Sequence, residues 1–394
     1  MPPARSHRRI LIYSHDTFGL GHLRRCRDIA HNIVAARKDM SVMIISGSPI
    51  IGSFDFRARV DFVRVPGVIK LRNGEYTSLN ELIDIEETLS MRSSLIDHMA
   101  AMYAPDVVIV DKEPTGLRGE MGPALARLKA EGALLVLGLR DVLDDPEKLS
   151  AEWERKGALK ALEMYDRLWV YGRPEICDPL AGLDVPAHIR DRMAWTGYLE
   201  RDVPDNLPAD YDSPEQPYLL VTTGGGGDGA DLVDWVLSAY EMAEQELPWR
   251  AHMVLGPFMP PEARAGFQSR AEKLSRVQAV TFEPRMEPLM ANASGIVAMG
   301  GYNTFCEILS FDRPALIVPR TAPRLEQTIR ATRACEKGLI GMLDDRKGRD
   351  PARMVSALKA LPNQQRPSAA ALPDMMAGHQ TILAELEHRF GPAP

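Results

Sequence analysis

The chain has 394 residues, which at roughly 150 residues per domain suggests two domains, each able to bury its own core without disulfide or metal staples. Its 47 basic and 54 acidic residues give a formal charge of −7. That balance argues against the nucleic-acid backbone as main partner, since domains that bind it usually carry a basic surplus. Cys26, Cys177, Cys306 and Cys335 lie far apart with no CxxC or other metal-ligand spacing. They suit a reducing compartment, and no metal site is expected.

The basic start, Arg5 to Arg9, is followed by only four apolar residues, Ile10 to Tyr13. That is too short for a signal-peptide core, and no apolar run approaches the ~20 residues of a membrane helix. The expectation is a cytoplasmic chain, with peripheral contact at the inner face of the membrane left open.

Residues 9–13 read as a buried strand, followed by a polar glycine-containing loop. Leu23, Cys26, Ile29, Ala30, Ile33 and Val34 then recur at steps of three and four, the mark of one helix face. Short apolar runs follow at 41–45, 61–65, 107–110, 134–139 and 168–170, several separated by helix-length segments such as 78–101 and 123–130. Strand and helix in alternation predict a parallel sheet covered on both faces.

The rhythm pauses near Trp195, and residues 201–217 carry four prolines among acidic and polar residues. This is the best linker in the chain. Strands resume at 218–222, 251–255, 279–282, 295–298 and 315–318, with a helix over 232–243 and a last helix over 375–390. The fold class expected is α/β: two doubly wound, Rossmann-like parallel-sheet domains, one over residues 1–200 and the other over 218–394, closed by the final helix.

Ligands of open parallel sheets bind at the carboxyl ends of the strands, so the loops there are the candidate sites. The first holds Gly19, Gly21, His22 and Arg25. Glycines admit a ligand close to the backbone, and a histidine there can take a proton near neutral pH. Alternatively, His22 simply caps the helix or faces solvent. Arg24 occupies the place of the third glycine of a dinucleotide fingerprint, which disfavours a dehydrogenase.

The second loop, Thr223-Gly224-Gly225-Gly226-Gly227, can present several backbone N–H groups to a diphosphate. The bland alternative is a flexible turn; the Lys-Ser/Thr of a P-loop is missing, so ATP hydrolysis is not expected. In the third region Gly300-Gly301 ends a strand, and Asn303 or Thr304 is placed to cap a helix. Glu307 falls one turn inside it, where a carboxylate can accept both hydroxyls of a ribose; alone, an exposed helix glutamate is the simpler reading. Pro319 then delivers Glu326 and Gln327 to the same rim.

These residues resemble a known family. Gly300-Gly301, Asn303-Thr304 and Glu307, then Pro314 to Pro319, then Glu326-Gln327 before Arg330-Ala331 are similar to the donor half of GT-B glycosyltransferases. The similarity is greatest to their family 28, MurG-like branch. The Gly19–Arg25 loop resembles that branch and also the PseG-type UDP-sugar hydrolases. The resemblance is specific over about residues 280–340 and the His22 loop.

It implies two domains facing a central cleft, with acceptor side first and donor side second. His22 becomes the general base for an acceptor hydroxyl, or for water in a hydrolase. Thr223 and Gly224 to Gly227, with Gly301, Asn303 and Thr304, would hold the donor diphosphate. Glu307 would hold the ribose, Glu326 and Gln327 the sugar, and Phe282, Arg285 and Met286 the base. The implied activity is metal-independent, inverting transfer of a sugar from a nucleotide-sugar donor, UDP-linked by resemblance, to a hydroxyl-bearing acceptor. No further cofactor is implied, and polysaccharide or glycoconjugate biosynthesis is the setting.

Ser14 to Gly19 departs from the fuller glycine loop of the MurG-like branch, so a lipid-linked acceptor is not carried over. Asp111, at the end of the 107–110 strand, is open to three readings: it orients His22, meets an acceptor, or caps a polar loop. The competing functions are a nucleotide-sugar hydrolase and a non-catalytic nucleotide-sugar-binding protein.

Overall fold

The structure, a computed structural model, describes residues 7–15, 21–71, 75–204, 207 and 214–392. The chain divides into two compact units, one of residues 1–174, 178–199 and 377–394, the other of residues 175–177 and 200–376.

In unit 1 the strands are β1 (Arg8–Ser14), β2 (Met40–Ser46), β3 (Val60–Arg64), β4 (Val68–Lys70), β5 (Tyr76–Ser78), β6 (Val107–Asp111), β7 (Leu134–Arg140), β8 (Arg167–Tyr171) and β9 (Met193–Trp195). Seven of them form one parallel sheet in the order β3-β2-β1-β6-β7-β8-β9, and β4 pairs with β5 as an antiparallel hairpin. The central strands are apolar almost throughout because helices cover both faces. Leu11, Val108, Leu135 and Leu137 pack with Ala124, Leu125 and Leu128 of the Gly122–Ala130 helix.

Unit 2 carries β10 (Tyr218–Thr222), β11 (Arg250–Val254), β12 (Val277–Val280), β13 (Gly295–Ala298), β14 (Ala315–Ile317) and β15 (Gly341–Met342). They form a second parallel sheet in the order β12-β11-β10-β13-β14-β15. Leu219 and Val221 of β10 pack with Val233, Val236 and Leu237 of the Ala230–Ala243 helix.

Both sheets reverse their winding beside the first strand of the unit, between β1 and β6 and between β10 and β13. Such a reversal leaves a crevice at the carboxyl edge into which the adjacent loops project. The expected α/β class with two doubly wound sheets is the architecture found.

The last helix differs from expectation. It runs over Gly378–Phe390 and belongs to unit 1, not to the domain of residues 218–394. Ile382 and Leu386 are buried, His379 Nε2 lies 3.0 Å from Asp28, Glu385 pairs with Arg167, and Arg37 donates to the Gly391 carbonyl. Chain order alone conceals this return. Most of the expected linker, residues 205, 206 and 208–213, lies outside the described residues. No helix among the described residues is long and apolar enough to cross a membrane.

Candidate functional site

In unit 1, β1 and β6 lie side by side in parallel, Tyr13 opposite Val110, so their carboxyl ends meet at the winding reversal. His22 occupies the first turn of the Gly21–Ala36 helix that follows β1, and Asp111 is the last residue of β6. Their side chains touch: His22 Nδ1 makes a short hydrogen bond to Asp111 Oδ2. Arg25, one turn further along the helix, donates to the other carboxylate oxygen from Nε at 2.9 Å and Nη2 at 2.5 Å. Asp111 and Arg25 are each about 2% exposed, whereas a fifth of the His22 side chain is exposed.

This arrangement fixes the proton. Arg25 Nη2 also lies 3.1 Å from Nδ1, but the Asp111 contact is much the shorter and two lone pairs do not face each other there, so Nδ1 carries the hydrogen and donates it to Asp111. Nε2 is then the basic nitrogen. Burial pulls His22 below its ordinary value of 6.5, with the Asp111 carboxylate acting in the opposite direction. Burial also opposes the charge of Asp111, but Arg25 and His22 hold its carboxyl far below the usual carboxylate range. A neutral imidazole held by a permanent anion is an oriented general base. Of the three readings open for Asp111, the geometry supports the first: it orients His22. Gly21 begins the helix, and Gly19 lies outside the described residues.

The polar cluster is larger than the sequence suggested. His15, just past β1, is 5% exposed and stands edge-on to His22 with ring centroids 5.8 Å apart. Burial lowers it well below 6.5, and its Nδ1 has no partner among the described residues. Lys112 adopts φ = 70°, turning the chain sharply after β6 and bringing the Glu113 amide to the Asp111 carbonyl. Glu113 is buried and accepts from Lys156 at 3.0 Å. A histidine directly after a strand end was the available signal for His15.

In unit 2, β10, β13 and β14 are neighbours, with Thr222, Ala298 and Ile317 in register. The loops after them therefore share one edge. Thr222 Oγ1 accepts from the Gly224 amide at 3.2 Å, and Thr223 Oγ1 donates to the Leu255 carbonyl at 2.6 Å. Gly225 accepts from Phe258. Gly226 has φ = 86°, and a Cβ there would come within 2.5 Å of the Leu255 oxygen. Gly227 has open space around its Cα. The glycine run is thus a pinned turn rather than a flexible one.

The Tyr302–Ser310 helix has Gly301 at its N-cap position, with no side-chain cap. The expectation that Asn303 or Thr304 caps it is corrected: both lie inside the first turn, because the helix starts one residue after Gly301. Their backbone N–H groups are among those a helix leaves pointing out of its end. The Asn303 side chain accepts from Arg201 at 3.3 Å. Glu307 is 2% exposed, which removes the reading of an ordinary solvent-facing glutamate.

Glu326 and Gln327, both buried, open the Glu326–Glu336 helix. Both engage Arg320: Gln327 Oε1 accepts from its main-chain amide at 3.1 Å, and Glu326 accepts from its guanidinium. Arg320 also reaches Asp228 at the end of the glycine turn. Arg330, fully buried, donates to the Gly300 carbonyl at 3.1 Å and lies over the Tyr302 ring. After β12, Phe282 is 49% exposed, Arg285 is exposed, and Met286 starts a helix. Sequence reasoning gave no role to Arg320, Asp228 or Arg330, whose association arises only when three strand ends come together.

Residues 219–382 match the family described as "Glycosyltransferase family 28 C-terminal domain". An uncharacterized glycosyltransferase of Methanosarcina acetivorans is 22% identical over 312 residues, 76% of this chain and 77% of that one. A UDP-N-acetylglucosamine–N-acetylmuramyl-(pentapeptide) pyrophosphoryl-undecaprenol N-acetylglucosamine transferase of Methylorubrum extorquens is 27% identical over 178 residues, 45% of this chain and 42% of that one. Among solved structures, the kitacinnamycin glycotransferase superposes with a TM-score of 0.65 at 15% identity, covering 99% of this chain and 100% of that one. A UDP-N-acetylglucosamine 2-epimerase reaches 0.63 at 14% identity, covering 98% and 97%. At such identities the structures establish the fold, and the family match establishes the class of enzyme. The chain is a glycosyltransferase of GT-B fold, and its residues 219–382 match the family 28 C-terminal domain.

Proposed function

We propose that this glycosyltransferase takes its sugar from a UDP-linked donor held by unit 2 and passes it to an acceptor hydroxyl deprotonated by His22. The observation that carries this reading is the His22–Asp111–Arg25 arrangement, which leaves Nε2 as an oriented base at the winding reversal of unit 1. Nε2 takes the hydroxyl proton, which makes the acceptor oxygen a nucleophile at the anomeric carbon. The new C–O bond forms on the face opposite the departing diphosphate, so a single displacement inverts that carbon. Backbone N–H groups of the glycine turn and of the 302–304 helix start would stabilise the leaving diphosphate without a metal ion.

The donor assignments remain those of the resemblance. Glu307 would hold the ribose, Glu326 and Gln327 the sugar, Thr223 to Gly227 with Gly301, Asn303 and Thr304 the diphosphate. Phe282, Arg285 and Met286 would meet the base. The activity of the Methylorubrum relative supports uracil as base and a lipid-linked pyrophosphate among acceptors to try. Such an acceptor would be met at a membrane surface, consistent with a cytoplasmic enzyme touching the inner face.

A thermal-shift panel of UDP, GDP, dTDP and ADP with EDTA present tests the donor half. A ligand at 100 times its Kd adds about 2.7 kcal/mol of stability. UDP should raise the melting temperature, and Glu307→Gln, folded as the wild type, should weaken UDP by about 1.5–3 kcal/mol. A response to none of the four would remove the nucleotide site. An unchanged Glu307→Gln would remove that residue from it.

A further inference from the structure

One ion pair in unit 2 is placed against the ligand that the glycine turn is expected to take. Asp228 closes that turn, and a carboxylate beside a diphosphate cradle repels its ligand unless something neutralises it. Arg320, three residues past the strand β14, does so: one guanidinium nitrogen meets Asp228 and another meets Glu326. The two halves of this bridge differ. Glu326 is 5% exposed in its side chain, whereas Asp228 is 42% exposed, and the Arg320 side chain between them is 25% exposed. The backbone of Arg320 is fixed independently, its amide donating to Gln327 and its carbonyl accepting from Thr328 at 2.8 Å. Its Nε–H has no partner among the described residues.

We propose that Arg320 is the diphosphate-binding cation of the donor site, and that it exchanges Asp228 for the diphosphate when the donor arrives. This rests on the reading of unit 2 as a nucleoside-diphosphate-sugar site and adds its charged residue. Glu326 keeps the inner side of the guanidinium in place, while the outer side changes partner. The magnitudes favour the exchange. An exposed ion pair contributes up to about fivefold in an equilibrium constant, whereas charge-assisted hydrogen bonds to a phosphate contribute about ten- to a hundredfold. A site resting on backbone amides alone would have no need of a guanidinium held at the turn by two carboxylates.

The exchange predicts opposite effects for the two ends of one bridge. UDP is titrated calorimetrically into the full-length wild type, Arg320→Gln and Asp228→Asn, with melting curves as folding controls. Arg320→Gln should weaken UDP about ten- to a hundredfold, since the cation is lost and both carboxylates are left facing the ligand. Asp228→Asn should tighten UDP about two- to fivefold, because a competitor for the guanidinium is gone. A purely structural bridge would weaken UDP in both variants, and that result overturns the proposal, as does unchanged affinity in Arg320→Gln. Should Arg320→Gln fail to fold, a weakening of UDP in Asp228→Asn still overturns the proposal. If the wild type binds no nucleoside diphosphate at all, the donor-site reading fails as well, an outcome distinct from the others.

Discussion

Asp111 does two things for His22 that follow from one carboxylate. Its Oδ2 fixes the tautomer, and its Oδ1 is held by Arg25, so it stays charged in a buried setting where an unpaired carboxylate would take up a proton. His22 itself has a lowered pKa, so it is unprotonated above that value and loses its base function as pH falls through it. The acid limb of turnover should therefore lie below pH 6.5. Asp111→Asn removes the group that raises His22, so the limb should move further down while the plateau falls by about 10²–10⁴-fold. A pH–rate profile of both proteins checks this; an unmoved limb and plateau would detach Asp111 from the chemistry. The sequence made His22 legible through its glycine loop, but offered Asp111 as its partner only as one of three readings. Asp111 stands 89 residues away and becomes a neighbour only because β6 inserts beside β1. His15, Arg320 and Asp228 were hidden for the same reason, since each takes its significance from a strand end elsewhere in the chain.

At the scale of elements, the long strands were readable because parallel strands buried on both faces are continuous apolar runs. The expected runs at 107–110 and 295–298 became β6 and β13. The pieces not foreseen, β4, β5, β9 and β15, have two or three residues each, too few for a period to register. The glycine turn after β10 combines two kinds of glycine that look alike in sequence. Gly226 is required by its backbone: alanine there meets the left-handed penalty of about 1–2 kcal/mol and the nearby Leu255 oxygen. Gly226→Ala should lower the melting temperature of the protein. Gly227 has neither constraint, so Gly227→Ala should change stability by about 0.5 kcal/mol or less yet weaken UDP if the turn cradles the diphosphate. Melting curves and UDP titrations on both variants check the division. Full UDP affinity in Gly227→Ala would separate this turn from the phosphates.

For the whole molecule, the two-domain α/β plan was legible from the restart of the strand rhythm after residue 217, but the course of the chain end was not. A helix that follows the second unit in sequence and packs in the first leaves no local mark; its buried face reads the same against either sheet. The family resemblance supplied what patterning does not, the chemistry expected at each strand edge, and the match over residues 219–382 bears out the resemblance there and the enzyme class. The proposed function divides the labour: unit 2 would hold the donor and unit 1 would supply the base. The most direct measurement compares His22→Ala with the wild type in two assays, UDP affinity by calorimetry and release of UDP from the UDP-sugar that binds best, both in EDTA. This division predicts UDP affinity within about twofold of wild type and release slower by about 10²–10⁴-fold. Undiminished release from His22→Ala would contradict it.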